Sequence, residues 1–152
     1  MKVTEGLVVE HTVFSKVFNQ IERALPGLKT LEEARLLGSL VEALLQNHGS
    51  TEENLFYLTL DHEPGTKSQM DQLHREHQEI DARLRQAQLA GNLEEARQLL
   101  TAALQTTREH FRHEERVAFP LIEQQLHAAA QKEFGHAWMH ADSDRPALVV
   151  QP

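Results

Sequence analysis

Four stretches of this chain repeat apolar residues at steps of three and four, the pattern of a helix with one buried face, and each buried stripe is interrupted by a histidine. In two of the four, a glutamate follows the histidine four residues later within the pattern His-x-x-x-Glu-Glu: HGSTEE at residues 48–53 and HFRHEE at residues 110–115. Residues four apart share a helical face, so each pattern points an imidazole and a carboxylate into the core together. A buried charge needs a partner, and one metal ion can satisfy both groups at once.

The first stretch runs from about Val8 to Leu25, with Leu7, His11, Phe14, Phe18, Ile21 and Leu25 on one face, and Pro26-Gly27 ends it. A capping box, Thr30-Leu31-Glu32-Glu33, opens the second, which continues to about Leu60 with Leu37, Val41, Leu44, His48, Glu52 and Leu55 inward. It stops at the turn formed by residues 61–65. The third starts near Ser68, follows Met70, Leu73, His77, Ile80 and Leu84, and breaks at Ala90-Gly91-Asn92. Asn92 caps the fourth, whose buried side carries Leu100, Ala103, Leu104, Thr107, His110, Phe111, Glu114, Val117 and Leu121. Pro120 falls inside this pattern, so it should bend the helix or end its regular part, with Leu121 to about Phe134 continuing as helix or as a fifth short one.

Four amphipathic helices joined by short connections imply an all-α, up-down-up-down four-helix bundle with a short C-terminal helical extension or tail. Residues 1–134 form the bundle in this reading and residues 135–152 the tail. Because neighbouring helices run antiparallel, His11 and His77 fall at the level of His48/Glu52 and His110/Glu114. The first and third helices share Glu-His openings (Glu10-His11, Glu76-His77), and the second and fourth share His-x-x-x-Glu-Glu. The bundle therefore reads as two copies of a helical hairpin, and a pseudo-twofold site suits two metal ions better than one.

Composition narrows the chemistry. Cysteine is absent, which leaves histidine and carboxylate as the metal ligands, and the ten histidines are about threefold more than an average chain of 152 residues carries. A net charge of −8 without a basic face argues against nucleic acid as a partner. No apolar run is long enough to cross a membrane and the opening residues lack a secretory core, so a cytoplasmic address is expected.

The Glu-His openings, HGSTEE, and the string HFRHEERVAFPLIE with its Phe-Pro resemble the hemerythrin-like family, the HHE cation-binding domains, from about Leu7 to Leu126. The resemblance implies a non-haem diiron centre inside the bundle, with histidines as terminal ligands and two carboxylates bridging the ions. Position by position it assigns His11 to the first helix, His48 and Glu52 to the second, His77 to the third, and His110 and Glu114 to the fourth. Oxygen-carrying members use two third-helix histidines four apart, whereas here Leu73 stands four before His77, and His74 is rotated from that position by roughly 100°. Four histidines, two glutamates and an open or water-filled coordination position are therefore expected, with His74 the candidate fifth histidine.

An open position favours binding or reaction at iron over simple oxygen carriage. What the resemblance implies is a small oxidant as ligand, whether dioxygen, nitric oxide or peroxide, or a role in handling iron, all of which are proposals made within the family, and the sequence does not choose among them. Enzyme activity is left open, as is association with a second copy or a protein partner. The rival reading is a helical interaction module whose histidines are structural or hold zinc.

Phe14, Phe18, Leu44, Leu55, Ile80, Phe111 and Val117 are expected to wall the centre. Glu53 and Glu115 read as supporting or surface charge, His113 as exposed and His62 as a turn residue. Tyr57 is placed at the border of the site or between helices. His127, His136 and His140, near Trp138 and Met139, are expected to face solvent, with a second metal site or a flap over the bundle as the sharper alternatives.

Overall fold

A computed structural model describes residues 1–60, 65–126 and 130. Within it the chain is all-helical and forms a four-helix bundle. The helices are α1 (Val3–Ala24), α2 (Leu31–Thr59), α3 (Lys67–Leu89) and α4 (Leu93–His113). A short 3-10 turn follows α1 at Leu25–Gly27, and a π-helical turn, Glu114–Ala118, carries α4 into α5 (Phe119–Gln125). The boundary at 134, residues 61–64 with His62, the side chain of Tyr57, and His127, His136 and His140 lie outside the described residues. No described helix is long and apolar enough to cross a membrane.

Local chemistry fixes the helix ends. The Thr30 hydroxyl accepts the Glu33 N–H at 3.2 Å, while the Glu33 carboxylate accepts the N–H groups of Lys29 and Thr30 at 2.6 and 3.0 Å. Asn92 caps α4 in the same way, accepting from the Glu95 N–H at 2.9 Å. Replacing Thr30 by alanine should lower unfolding stability by about 1 kcal/mol in urea titrations, because an exposed cap is lost and nothing in the core changes. Helix α1 begins five residues before the expected start. Its first turn is held by the Lys2 N–H on Glu5 and by Glu123 of α5, which takes the Lys2 ammonium at 2.9 Å and the Thr4 hydroxyl at 2.6 Å.

The core is two apolar clusters with a polar layer between them. On one side pack Phe14, Phe18, Val41, Leu45, Ile80, Leu84, Leu100, Leu104 and Phe111; on the other, Leu7, Leu55, Phe56, Met70, Leu73, Phe119 and Ile122. His11, His48, Glu52, His110 and Glu114 are buried between these clusters. Each helix crosses the layer once, which is why single histidines or His/Glu pairs interrupt each stripe.

Two expectations about the inward register are corrected. Leu44 is 40% exposed and Leu45 takes the buried position. Leu36, Leu40 and Leu44 form an outer ridge of their own, so two apolar ridges competed for one core face. Among the described residues beyond Glu114, Ala118, Phe119 and Ile122 are buried, while Val117 and Leu121 are only half-buried. Pro120 supplies the reason: it has no N–H to donate, and its ring would press on the Arg116 carbonyl in a regular α-helix. The turn before it widens, the Phe119 N–H reaches back to the Glu114 carbonyl, and the extra residue shifts the stripe by one. The helix therefore continues past the proline as α5, but α5 ends at Gln125, where Leu126 turns extended, short of the expected Phe134.

Candidate metal centre

The bundle brings together all six residues that the stripes singled out. They form two overlapping groups, His11, His48, Glu52 and Glu114 in one and Glu52, His77, His110 and Glu114 in the other, each with one ligand atom per residue within 4.8 Å of the others. The carboxylates are the shared members. Glu52 turns Oε1 toward His48 Nε2 at 3.0 Å and His11 Nε2 at 3.5 Å, and Oε2 toward His77 Nε2 at 3.6 Å. Glu114 does the converse, with Oε1 toward His110 at 3.0 Å and His77 at 3.6 Å, and Oε2 toward His11 at 3.5 Å.

Protein groups alone do not satisfy this cluster. Both oxygens of Glu52, both of Glu114 and Nε2 of His110 are buried without a hydrogen-bond partner, since the 3.0 Å approach of His110 to Glu114 lacks hydrogen-bonding geometry. Four buried, unpartnered carboxylate oxygens are strongly unfavourable without a cation. His11 and His48 face each other Nε2 to Nε2 at 3.0 Å. When their Nδ1–H groups donate to carboxylates, the opposed atoms are two lone pairs, which only a shared proton or a metal ion reconciles. The donor set, imidazole nitrogen and carboxylate oxygen, suits iron and zinc.

A ring of outer carboxylates orients the imidazoles. His48 Nδ1 pairs with Glu10 at 2.6 Å, His11 Nδ1 with Glu115 at 2.9 Å, His110 Nδ1 with Glu76 at 2.8 Å, and His77 Nδ1 lies 3.5 Å from Glu53. The pairing follows the internal repeat: each Glu-His helix lends its glutamate to the next helix, and each Glu-Glu helix lends its second glutamate to the other hairpin. Such partners fix the tautomer and strengthen the ligand. The roles of Glu10 and Glu76 were not read from sequence, although the repeated Glu-His dipeptide was the available signal. His113 is half-buried rather than exposed, its Nδ1 2.9 Å from Glu76. His74 belongs to neither group, and Leu73 packs in the apolar cluster instead.

The electrostatics follow from these contacts. Burial works against charge on His48, yet Glu10 and Glu52 overcome it and raise its pKa to about 9. Burial also opposes charge on His77, and Glu114 and Glu52 push it up to about 10. His110 is likewise raised against burial by Glu114 and Glu76. Burial would raise Glu76, but hydrogen bonds from His110 and His113 bring it down to about 2. Glu52 lies well below the usual carboxylate range despite its burial because His11, His48 and His77 surround it.

Aromatic rings close one side of the layer: Phe111 stacks on His11, and Phe14 meets His48 edge to face. On the α2–α3 side, a cavity of about 310 Å³ reaches the cluster past His48, Gly49, Glu52, His77 and His110. Neither curated proteins nor solved structures gave a match to the chain. A family model does match, over residues 2–122, and it is the hemerythrin HHE cation-binding domain. With that match spanning most of the chain and all six clustered residues inside it, the chain belongs to the hemerythrin HHE cation-binding family.

Proposed function

We propose that the protein holds two iron ions in this cluster and uses them to bind, sense or react with a small oxidant: dioxygen, nitric oxide or peroxide. One observation carries the reading: Glu52 directs one oxygen to the His11/His48 pair and the other to His77, while Glu114 directs one to the His77/His110 pair and the other to His11. That is the arrangement of carboxylates shared between two cations, and the same four oxygens have no other partner. Bound iron would supply electron exchange with an oxygen- or nitrogen-based ligand. His11 and His48 would hold one ion and His77 and His110 the other.

The chain's own groups shape what can happen there. Glu10, Glu76 and Glu115 fix three imidazoles through Nδ1 and leave Nε2 for metal. The apolar clusters above and below close the layer on those two sides and strengthen the charge interactions in it. Glu53, 54% exposed, stands beside His77 at the solvent edge of the site.

Reconstitution with ferrous iron under anaerobic conditions, followed by desalting and elemental analysis, tests the reading. Two iron ions per chain are expected. A single tightly held zinc, with iron excluded in competition, would sink it in favour of a structural zinc site. Glu76→Ala should weaken metal binding by roughly 10–100-fold in chelator competition, because His110 loses the group that orients it.

A further inference from the structure

The two halves of the centre are related by the internal repeat, and one position breaks the relation at the metal. In HFRHEE the residue after the histidine is Phe111, whose ring lies flat on His11 with 3.9 Å between ring centroids and 10° between planes. The matching residue in HGSTEE is Gly49, and the imidazole matching His11 is His77. No ring covers His77 from that position: a Cβ built on Gly49 would meet nothing within 4 Å. Gly49 and His77 instead line the 310 Å³ cavity, which also touches Glu52 and His110 and is bounded toward the other half by His48 and Phe111. His77 is correspondingly the least buried of the four imidazoles, its side chain 14% exposed against 3% for each of the others.

Glycine in the middle of a helix weakens it. In α2 it stands directly after a candidate ligand, where its lack of a side chain leaves an approach to the cluster. The missing third-helix histidine does not create this approach, because Leu73 and its apolar neighbours fill the opposite side of the layer. Access and the ligand count therefore point to different sides, and the packing decides between them.

We propose that a small ligand arrives through the opening at Gly49 and binds the ion held by His77 and His110, while Phe111 shields the ion held by His11 and His48. The assignment rests on the two-ion reading above. Glu53 and Asp81 stand at the mouth of the cavity, so it admits neutral molecules more readily than anions. Gly49 thus sets which ion reacts and what size of molecule reaches it.

Gly49→Phe restores the ring that the repeat lacks, and Gly49→Leu is the smaller substitution if phenylalanine prevents folding. Nitric oxide, a neutral probe, is mixed anaerobically with the iron-loaded, reduced protein and followed by absorbance. The variants should keep the wild-type iron content and lose roughly tenfold or more in association rate. A wild-type rate at wild-type iron content in a folded variant would overturn the proposal. A second measurement needs no metal: hydroxyl-radical oxidation of His77 in the metal-free protein, mapped by mass spectrometry, should slow several-fold in the variants. Unchanged labelling of His77 would likewise overturn the opening at Gly49. If the wild-type protein takes up no iron, the two-ion reading fails, and the labelling result still decides the opening by itself.

Discussion

Alanine at Glu114 or at Glu52 is expected to abolish tight binding of both metal ions, whereas alanine at His11 should weaken one ion and leave the other held. The difference comes from the geometry of sharing. His11 belongs to one group of ligands only, while each carboxylate belongs to both and presents a separate oxygen to each. Deleting a carboxylate removes a ligand from two ions and also the negative charge that offsets two neighbouring cations. The loss should exceed the roughly 10–100-fold that a change in an outer carboxylate produces. Elemental analysis after dialysis against a weak chelator reads the result directly: near two ions per chain in wild type, near one in His11→Ala, near none in Glu114→Ala. One ion retained at wild-type affinity in Glu114→Ala would mean that the carboxylates are not shared.

The centre was legible because burial is written into helical spacing. A histidine at a position where the steps of three and four demand a leucine must face the core, and His11, His48, His77 and His110 all do so at one level. What stayed hidden depends on contacts between distant residues. Glu10 and Glu76 look like ordinary surface charges beside a histidine, and their targets, His48 and His110, lie 38 and 34 residues away on another helix. Leu44 and Leu45 were indistinguishable by hydrophobicity, and only packing against α1 and α4 selects between two adjacent ridges. Pro120 announced an irregularity without specifying its kind, since the same missing N–H can stop a helix, kink it or widen one turn. The contrast between Gly49 and Phe111 emerges only when the two His-x-x-x-Glu-Glu copies are superposed in space, where one imidazole is covered and the other is not.

Raising the pH from about 6.5 to about 10 is expected to destabilise the metal-free protein far more than the metal-loaded one. In the metal-free protein, protons on the histidines take the place of cations between Glu52 and Glu114. His48 and His77 have pKa values raised from the ordinary 6.5 to about 9 and about 10. A raised pKa means that the folded state binds the proton more tightly than the unfolded chain does. The stabilisation is therefore complete below about pH 6.5 and disappears as the pH climbs through the folded values, leaving buried carboxylates unopposed. Glu76 sets the acid limb with the opposite sign. Held at about 2, it contributes stability above the ordinary carboxylate pKa and loses it as the pH falls toward 2. On the alkaline limb several kcal/mol are at stake, which corresponds to a fall in melting temperature on the order of 10 °C. Metal takes over the role of the protons, so the loaded protein should not show this alkaline loss, and loading at pH 7 should release at least two protons, one each from His48 and His77. Paired melting curves with and without metal at pH 6.5 and 10, together with an indicator-dye titration in weak buffer, measure both effects. A metal-free melting temperature that stays level or rises over that interval, or loading without proton release, would show that the histidines do not stand in for cations in this core.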